Sequence, residues 1–175
     1  MAKREIVLYP DPVLRKVCEP VKNINGNTIS LVDDLVETMC AAPHGVGISA
    51  PQIGESQRVI VVDVSRNRRY KRKNHGLIEL INPVIVHSEG EKITREGCMS
   101  LPEYVAFVKR ARIVVVRGWD RNEREIEIEA KNLEAVALQH EIDHLDGILF
   151  IDRIASASEL ICRDELLKGG NNEKE

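Results

Sequence analysis

The sequence predicts an α+β fold: antiparallel or mixed β-sheets around a central helix bearing candidate metal ligands, with an early helix and a short C-terminal helix. Three observations lead there. Apolar residues recur at helical spacing between 29 and 39, strand-like runs crowd the region from 58 to 130, and helical spacing returns from 133 to 146. A chain of 175 residues can bury a core of its own, so residues 1–168 are expected to form a single domain. The last seven residues, "GGNNEKE", carry too little apolar content to order themselves and are expected to be a disordered tail.

Each element has a local reason. The opening "LYPDPVLRKVCEPVKNINGN" holds three prolines and a glycine and reads as extended and turn structure. In "TISLVDDLVETMCAA", Ile29, Val32, Leu35, Val36 and Met39 line one helical face, with Asn27 or Thr28 as N-cap. Pro43 then breaks the chain into the glycine-rich loop "HGVGISAPQIG". "RVIVVDV" reads as a buried strand, and "LIELINPVIV" as another that Pro83 confines to an edge or a bulge. "RIVVVRGW" and "REIEIEA" flank "DRNE" as a hairpin, Ile126, Ile128 and Ala130 alternating with Glu125, Glu127 and Glu129. The helix at 133–146 has Asn132 as N-cap and Gly147 as stop, and a short helix is expected near 157–167.

A formal net charge of −3 names no partner, and no apolar run approaches the ~20 residues that span a bilayer. The start "MAKREIVLYPDPVL" has no apolar signal segment, so Cys18, Cys40, Cys98 and Cys162 are read as free thiols or ligands of a cytoplasmic protein. Cys18 and Cys40 read as packing residues, and His44, His75 and His87 as surface or loop residues. "RNRRYKRKNHG" packs six Lys or Arg into 66–73; a solvated hairpin loop is favoured over an RNA-binding patch, and no specific nucleic acid is predicted.

The chemistry-bearing stretch is "ALQHEIDHLDG", which contains His-Glu-x-x-His. On a helix, residues four apart share a face, so His140 and His144 point together, on a face that Leu133, Val136 and Ala137 turn toward the core. Glu141 lies beside the first histidine, where a carboxylate can reach a metal-bound water. A third ligand is required. The longer pattern His-x-x-x-His-x-x-Gly-x-x-His fails because its last position is Phe150. Glu159 and Glu165 stand downstream on a polar segment. Cys98, in "REGCMSLP", is the better candidate, because a thiolate binds zinc or iron strongly and Gly97 permits close backbone approach.

With these residues assembled, the chain resembles the peptide deformylases, metalloenzymes that remove the formyl group from the N-terminal methionine of new bacterial proteins. "GVGISAPQ" (45–52) is similar to Gly-x-Gly-x-Ala-Ala-x-Gln, "EGCMS" (96–100) to Glu-Gly-Cys-Leu-Ser, and "QHEIDHLDG" (139–147) to Gln-His-Glu-x-Asp-His-Leu-x-Gly. "DPVLR" (11–15) also looks like the family's opening. The resemblance implies Cys98, His140 and His144 as metal ligands, Glu141 as acid/base, and Gln52 with the backbone N–H of Met99 as oxyanion donors. It implies a peptide-binding edge at Gly45, Val46, Gly47, Glu96 and Gly97 and formylmethionyl nascent chains as substrate, and it permits a transient ribosome contact at the helix near 160. It implies iron(II), although a Cys-His-His set suits zinc equally. Ser49 stands where the family usually has alanine, and Met99 where it usually has leucine. Asp143 is expected to anchor the helix by pairing with Arg110, and Glu96 to support the ligands from behind.

Overall fold

A computed structural model of the chain describes residues 2–70, 72–154 and 156–164. Its centre is the helix α2 (Leu133–Leu145), in which every residue from Glu134 to Leu145 except Gln139 is buried. A helix enclosed on nearly all sides can hold polar side chains in a dry environment, and this one holds both histidines of the motif.

One five-stranded antiparallel sheet covers it, in the order β1 (Gly47–Ser49), β2 (Val59–Val62), β3 (Ile78–Glu89), β6 (Ile113–Trp119), β7 (Glu125–Lys131). Ile60, Val62, Ile78, Leu80, Val114, Val116 and Ala130 from this sheet close over Leu138, Ile142 and Leu145 of α2. The second sheet runs β4 (Lys92–Cys98), β5 (Leu101–Arg110), β8 (Leu160–Cys162), all antiparallel. Its Leu101, Ala106 and Val108 pack with Leu14, Leu149 and Phe150 in a separate core cluster. The early helix α1 (Gly26–Ala41) buries Leu31, Val32, Leu35 and Met39 against Ile48, Val59 and Val61.

Several expectations are corrected. The N-cap of α1 is Asn25, whose side chain accepts from the backbone N–H of Asn27 and Thr28, rather than either of those residues. Pro83 lies beyond the β2 pairing, which ends at Ile81, and within the β3–β6 register shift between Ile81 and Val84, so the edge-or-bulge reading holds as a bulge. Of the short helix expected near 157–167, Leu160–Cys162 form β8 instead, pairing with Tyr104–Ala106 after a turn at Ala157–Glu159; residues 163–164 are helical, and those beyond lie outside the described residues. Leu160, Ile161, Leu166 and Leu167 together read as the apolar face of a helix, but β5 offers Leu160–Cys162 backbone partners that propensity cannot see. Leu166, Leu167 and the tail lie outside the described residues. Cys18 is buried as expected, whereas Cys40 is exposed.

Gly147 ends α2 at φ +69°, and a Cβ there would lie 2.5 Å from the carbonyl oxygen of Arg15. The opening segment therefore passes directly under the end of the metal-motif helix, which only glycine allows. No described helix is long and apolar enough to cross a membrane.

Candidate metal centre

Cys98 is the last residue of β4. It pairs with Leu101 across a two-residue turn, after a register shift between Gly97 and Cys98. That turn aims the thiol inward at α2. The Cys98 sulfur lies 3.3 Å from His144 Nε2, and one donor atom from each of Cys98, His140 and His144 falls within 4.8 Å of the others. The two rings meet edge-on, with centroids 5.0 Å apart, and His140 stacks on Phe150. Among the described residues this is the only cluster of three such side chains able to hold a metal ion. Glu159 is not part of it, Cys40 lies elsewhere against Arg66, and Glu165 lies outside the described residues.

Behind the donors runs a chain of charge, buried at Glu96, Arg110 and Asp143. Glu96 Oε2 is 2.9 Å from His140 Nδ1. Arg110 grips the same carboxylate with Nε at 2.7 Å and Nη2 at 2.9 Å, and reaches Asp143 Oδ2 with Nη1 at 2.5 Å. Arg153 completes the chain with two bonds to Asp143, 3.0 and 2.5 Å. Glu96, Arg110 and Asp143 are buried, and the exposed Arg153 supplies the second positive charge from the solvent side, so two carboxylates face two guanidiniums. Burial pushes the Glu96 carboxyl up, but hydrogen bonds from Arg110 and His140 outweigh it and hold the carboxyl down at about 2. An ionised Glu96 fixes Nδ1 of His140 as the donor, leaving Nε2 as the lone-pair nitrogen.

Glu141 is 4% exposed, and burial, only partly offset by the neighbouring His140, pushes its carboxyl up to about 7. Its Oε2 is buried without a hydrogen-bond partner in the protein. Gly47 lies directly over this carboxylate: a Cβ on Gly47 would fall 2.6 Å from Oε1. Opposite, Gln52 sits in the Ala50–Ile53 turn. Its Oε1 accepts from the backbone N–H and the hydroxyl of Ser49, both at 3.0 Å, which turns its amide nitrogen toward Cys98 Sγ (3.4 Å) and Ser100 Oγ (3.3 Å). Gly45, Val46, Gly47, Gln52, Glu96, Gly97, Cys98, Met99, His140 and Glu141 all border one cleft. His144 lies behind it, fully enclosed.

The cleft therefore unites three soft-to-borderline donors, a carboxyl poised near neutrality and a fixed amide donor. Compared over its whole length, the chain matches the family pattern described as "Polypeptide deformylase" across residues 3–159. The chain belongs to the polypeptide deformylase family. It is 53% identical over 155 residues to a peptide deformylase of Thermodesulfovibrio yellowstonii, covering 89% of this chain and 91% of that protein. Among solved structures, a peptide deformylase from Legionella pneumophila superposes with a TM-score of 0.82 at 38% identity, covering 99% of this chain and 100% of that one. A class I type b deformylase from Acinetobacter baumannii, solved with Met-Ala-Ser bound, gives 0.82 at 31% identity over 87% of this chain and 99% of that one. Family membership makes this chain a metal-dependent hydrolase that removes N-terminal formyl groups.

Sequence reasoning reached the Arg110–Asp143 pair and the support of His140 by Glu96. It missed that one guanidinium serves both, and it missed Arg153, because no spacing rule links 96, 110, 143 and 153. It assigned no role to the hydroxyl of Ser49, which orients Gln52. It placed Leu133, Val136 and Ala137 on a core face, whereas all three also border the cleft. His44, read as a surface or loop residue, is exposed in a loop as expected and also borders the cleft.

Proposed function

We propose that this deformylase works in the cytoplasm on N-formylmethionyl nascent chains, with iron(II) held by Cys98, His140 and His144, and with residues 1–168 as one catalytic domain. The observation that carries this reading is the buried, partnerless oxygen of Glu141 standing beside three converged S and N donors. That donor set fits a divalent ion, and the choice of iron over zinc rests on the family resemblance. When bound, such an ion supplies a Lewis acid that lowers the pKa of water to about 7.

The chain's own residues account for the remainder. Glu141 accepts a proton as the water oxygen bonds to the formyl carbon, and its carboxyl at about 7 suits that task at neutral pH. It then delivers the proton to the methionine nitrogen as the C–N bond breaks, so formate and a free amine leave. Gln52 Nε2 and the backbone N–H of Met99 donate to the developing oxyanion. β1 and β4 are terminal strands of their sheets, so Gly45–Gly47 and Glu96–Gly97 offer edges along which an extended peptide can pair. The reading includes a transient ribosome contact, while Arg68, Arg69, Arg72 and Lys73 are exposed on the connection between β2 and β3, as a solvated loop requires.

The test is formate release from a formyl-methionyl peptide by anaerobically purified protein, with internal cleavage measured in parallel and Glu141→Ala alongside. Formate release that the substitution abolishes is expected. Internal cleavage without formate would identify an endopeptidase instead.

A further inference from the structure

The segment between α1 and β1, residues 42–46, forms one wall of the cleft yet is poorly fastened. Two of its own bonds are local: Ala42 N–H to Met39 O, and Gly45 N–H to Ala42 O. Among the described residues, only two groups beyond α1 hydrogen-bond to it. One is the backbone N–H of Asp63, which donates to Val46 O at 2.8 Å. The other is the guanidinium of Arg66.

Arg66 is the last residue of a short turn (Val64–Arg66) that follows β2, and Asp63 caps that turn by accepting from the backbone N–H of Ser65. From this fixed base the side chain spans the end of α1 and the segment beyond it. Nε donates to Gly45 O at 3.1 Å. Nη2 lies 2.9 Å from Cys40 O, 3.4 Å from Met39 O and 3.5 Å from Ala42 O, while Nη1 is 3.3 Å from the Cys40 sulfur. The last turn of α1 has no basic residue of its own. Arg66 thus brings a cation to the negative end of the helix and uses the same fork to hold Gly45, two residues before the glycine that presses on Glu141.

We propose that Arg66 is a positioning residue for peptide binding, fixing the Ala42–Gly47 wall of the cleft by bridging its carbonyls to the end of α1. The inference rests on the deformylase reading, in which this wall pairs with the substrate backbone. A residue acting only on helix stability would lower the melting temperature and leave the kinetic constants of the folded enzyme alone. A residue that places the wall changes KM, because substrate must then order the segment itself, while Glu141 and the donors keep their geometry and kcat stays.

Arg66→Gln and Arg66→Lys, metal-loaded, are assayed for formate release over a range of formyl-methionyl tripeptide concentrations. Losing charged hydrogen bonds of this kind is expected to raise KM about tenfold in Arg66→Gln, with kcat within about twofold of wild type. Arg66→Lys keeps the charge but not the fork, so it restores KM only in part. If Arg66→Gln does not fold, the Lys variant alone decides. A KM equal to wild type, or a fall in kcat at constant KM, overturns the proposal. Wild-type protein that releases no formate overturns the deformylase reading instead, so the two failures are distinguishable.

Discussion

Replacing Gly47 by alanine tests how closely the cleft is built around Glu141. The added Cβ would lie 2.6 Å from Glu141 Oε1, 3.0 Å from Cγ and 3.1 Å from Cδ, where ordinary contact begins at 3.4 Å. Relief requires the strand and the carboxylate to part by about 0.8 Å. Glu141 is enclosed in α2, so the carboxylate cannot simply swing into solvent. A misplacement near 1 Å at a reacting group costs on the order of 10²-fold in rate, and we expect kcat to fall by about that factor. Stability should fall far less, by about 1–2 kcal/mol, the usual cost of a modest overpacking. The assay is formate release at saturating peptide, with metal content and melting temperature measured on the same preparation. A kcat within threefold of wild type at equal metal content would refute the close approach on which this argument stands.

Four other outcomes follow from the charge chain and the donor set. Glu96→Gln should weaken metal affinity about 10- to 100-fold in a competition titration against a chelator, since it removes the carboxylate that fixes His140. In metal-free protein the Glu96 carboxyl, ordinarily near 4.5, is held at about 2, so its stabilisation is fully present above about pH 4.5 and is lost as pH falls toward 2. Unfolding of Glu96→Gln should lack that part of the acid dependence, and an unchanged slope between pH 5 and pH 2 would contradict it. Asp143→Ala leaves Arg110 with one carboxylate and Arg153 with none from this site; a loss of about 3–5 kcal/mol in urea unfolding is expected, and a loss below 1 would show the network to be relaxed. If iron is the native metal, exposure to air should inactivate the iron form while a zinc form keeps whatever activity it has, and equal persistence of both would count against iron.

Much of the site was legible because it lies in short contiguous stretches. The histidine spacing on α2 follows from helical geometry alone, and Glu141 follows from its neighbour. Cys98 required a choice among ligands that spacing could not make, since its distance from His140 depends on how β4 turns into β5. That hairpin itself was not foreseen: Pro102, Glu103 and Tyr104 blur the alternation at the start of β5, and Lys92–Cys98 alternates too weakly to announce a strand. The hairpin at 113–131 and the helix α1 were readable from period alone, whereas β8 exists only because β5 leaves an edge open beside it. Arg66 and Arg153 were illegible for a shared reason. Each sat in the sequence as one more surface cation, and only folding brings its fork against backbone carbonyls or a buried carboxylate.

The most direct measurement is X-ray absorption on the metal-loaded protein, paired with Cys98→Ala. For the zinc-loaded form, one sulfur at about 2.3 Å together with two imidazole nitrogens at about 2.0–2.1 Å is expected, the sulfur disappearing in the variant. A wild-type spectrum without sulfur, or one that Cys98→Ala leaves unaltered, would contradict the assignment of the centre.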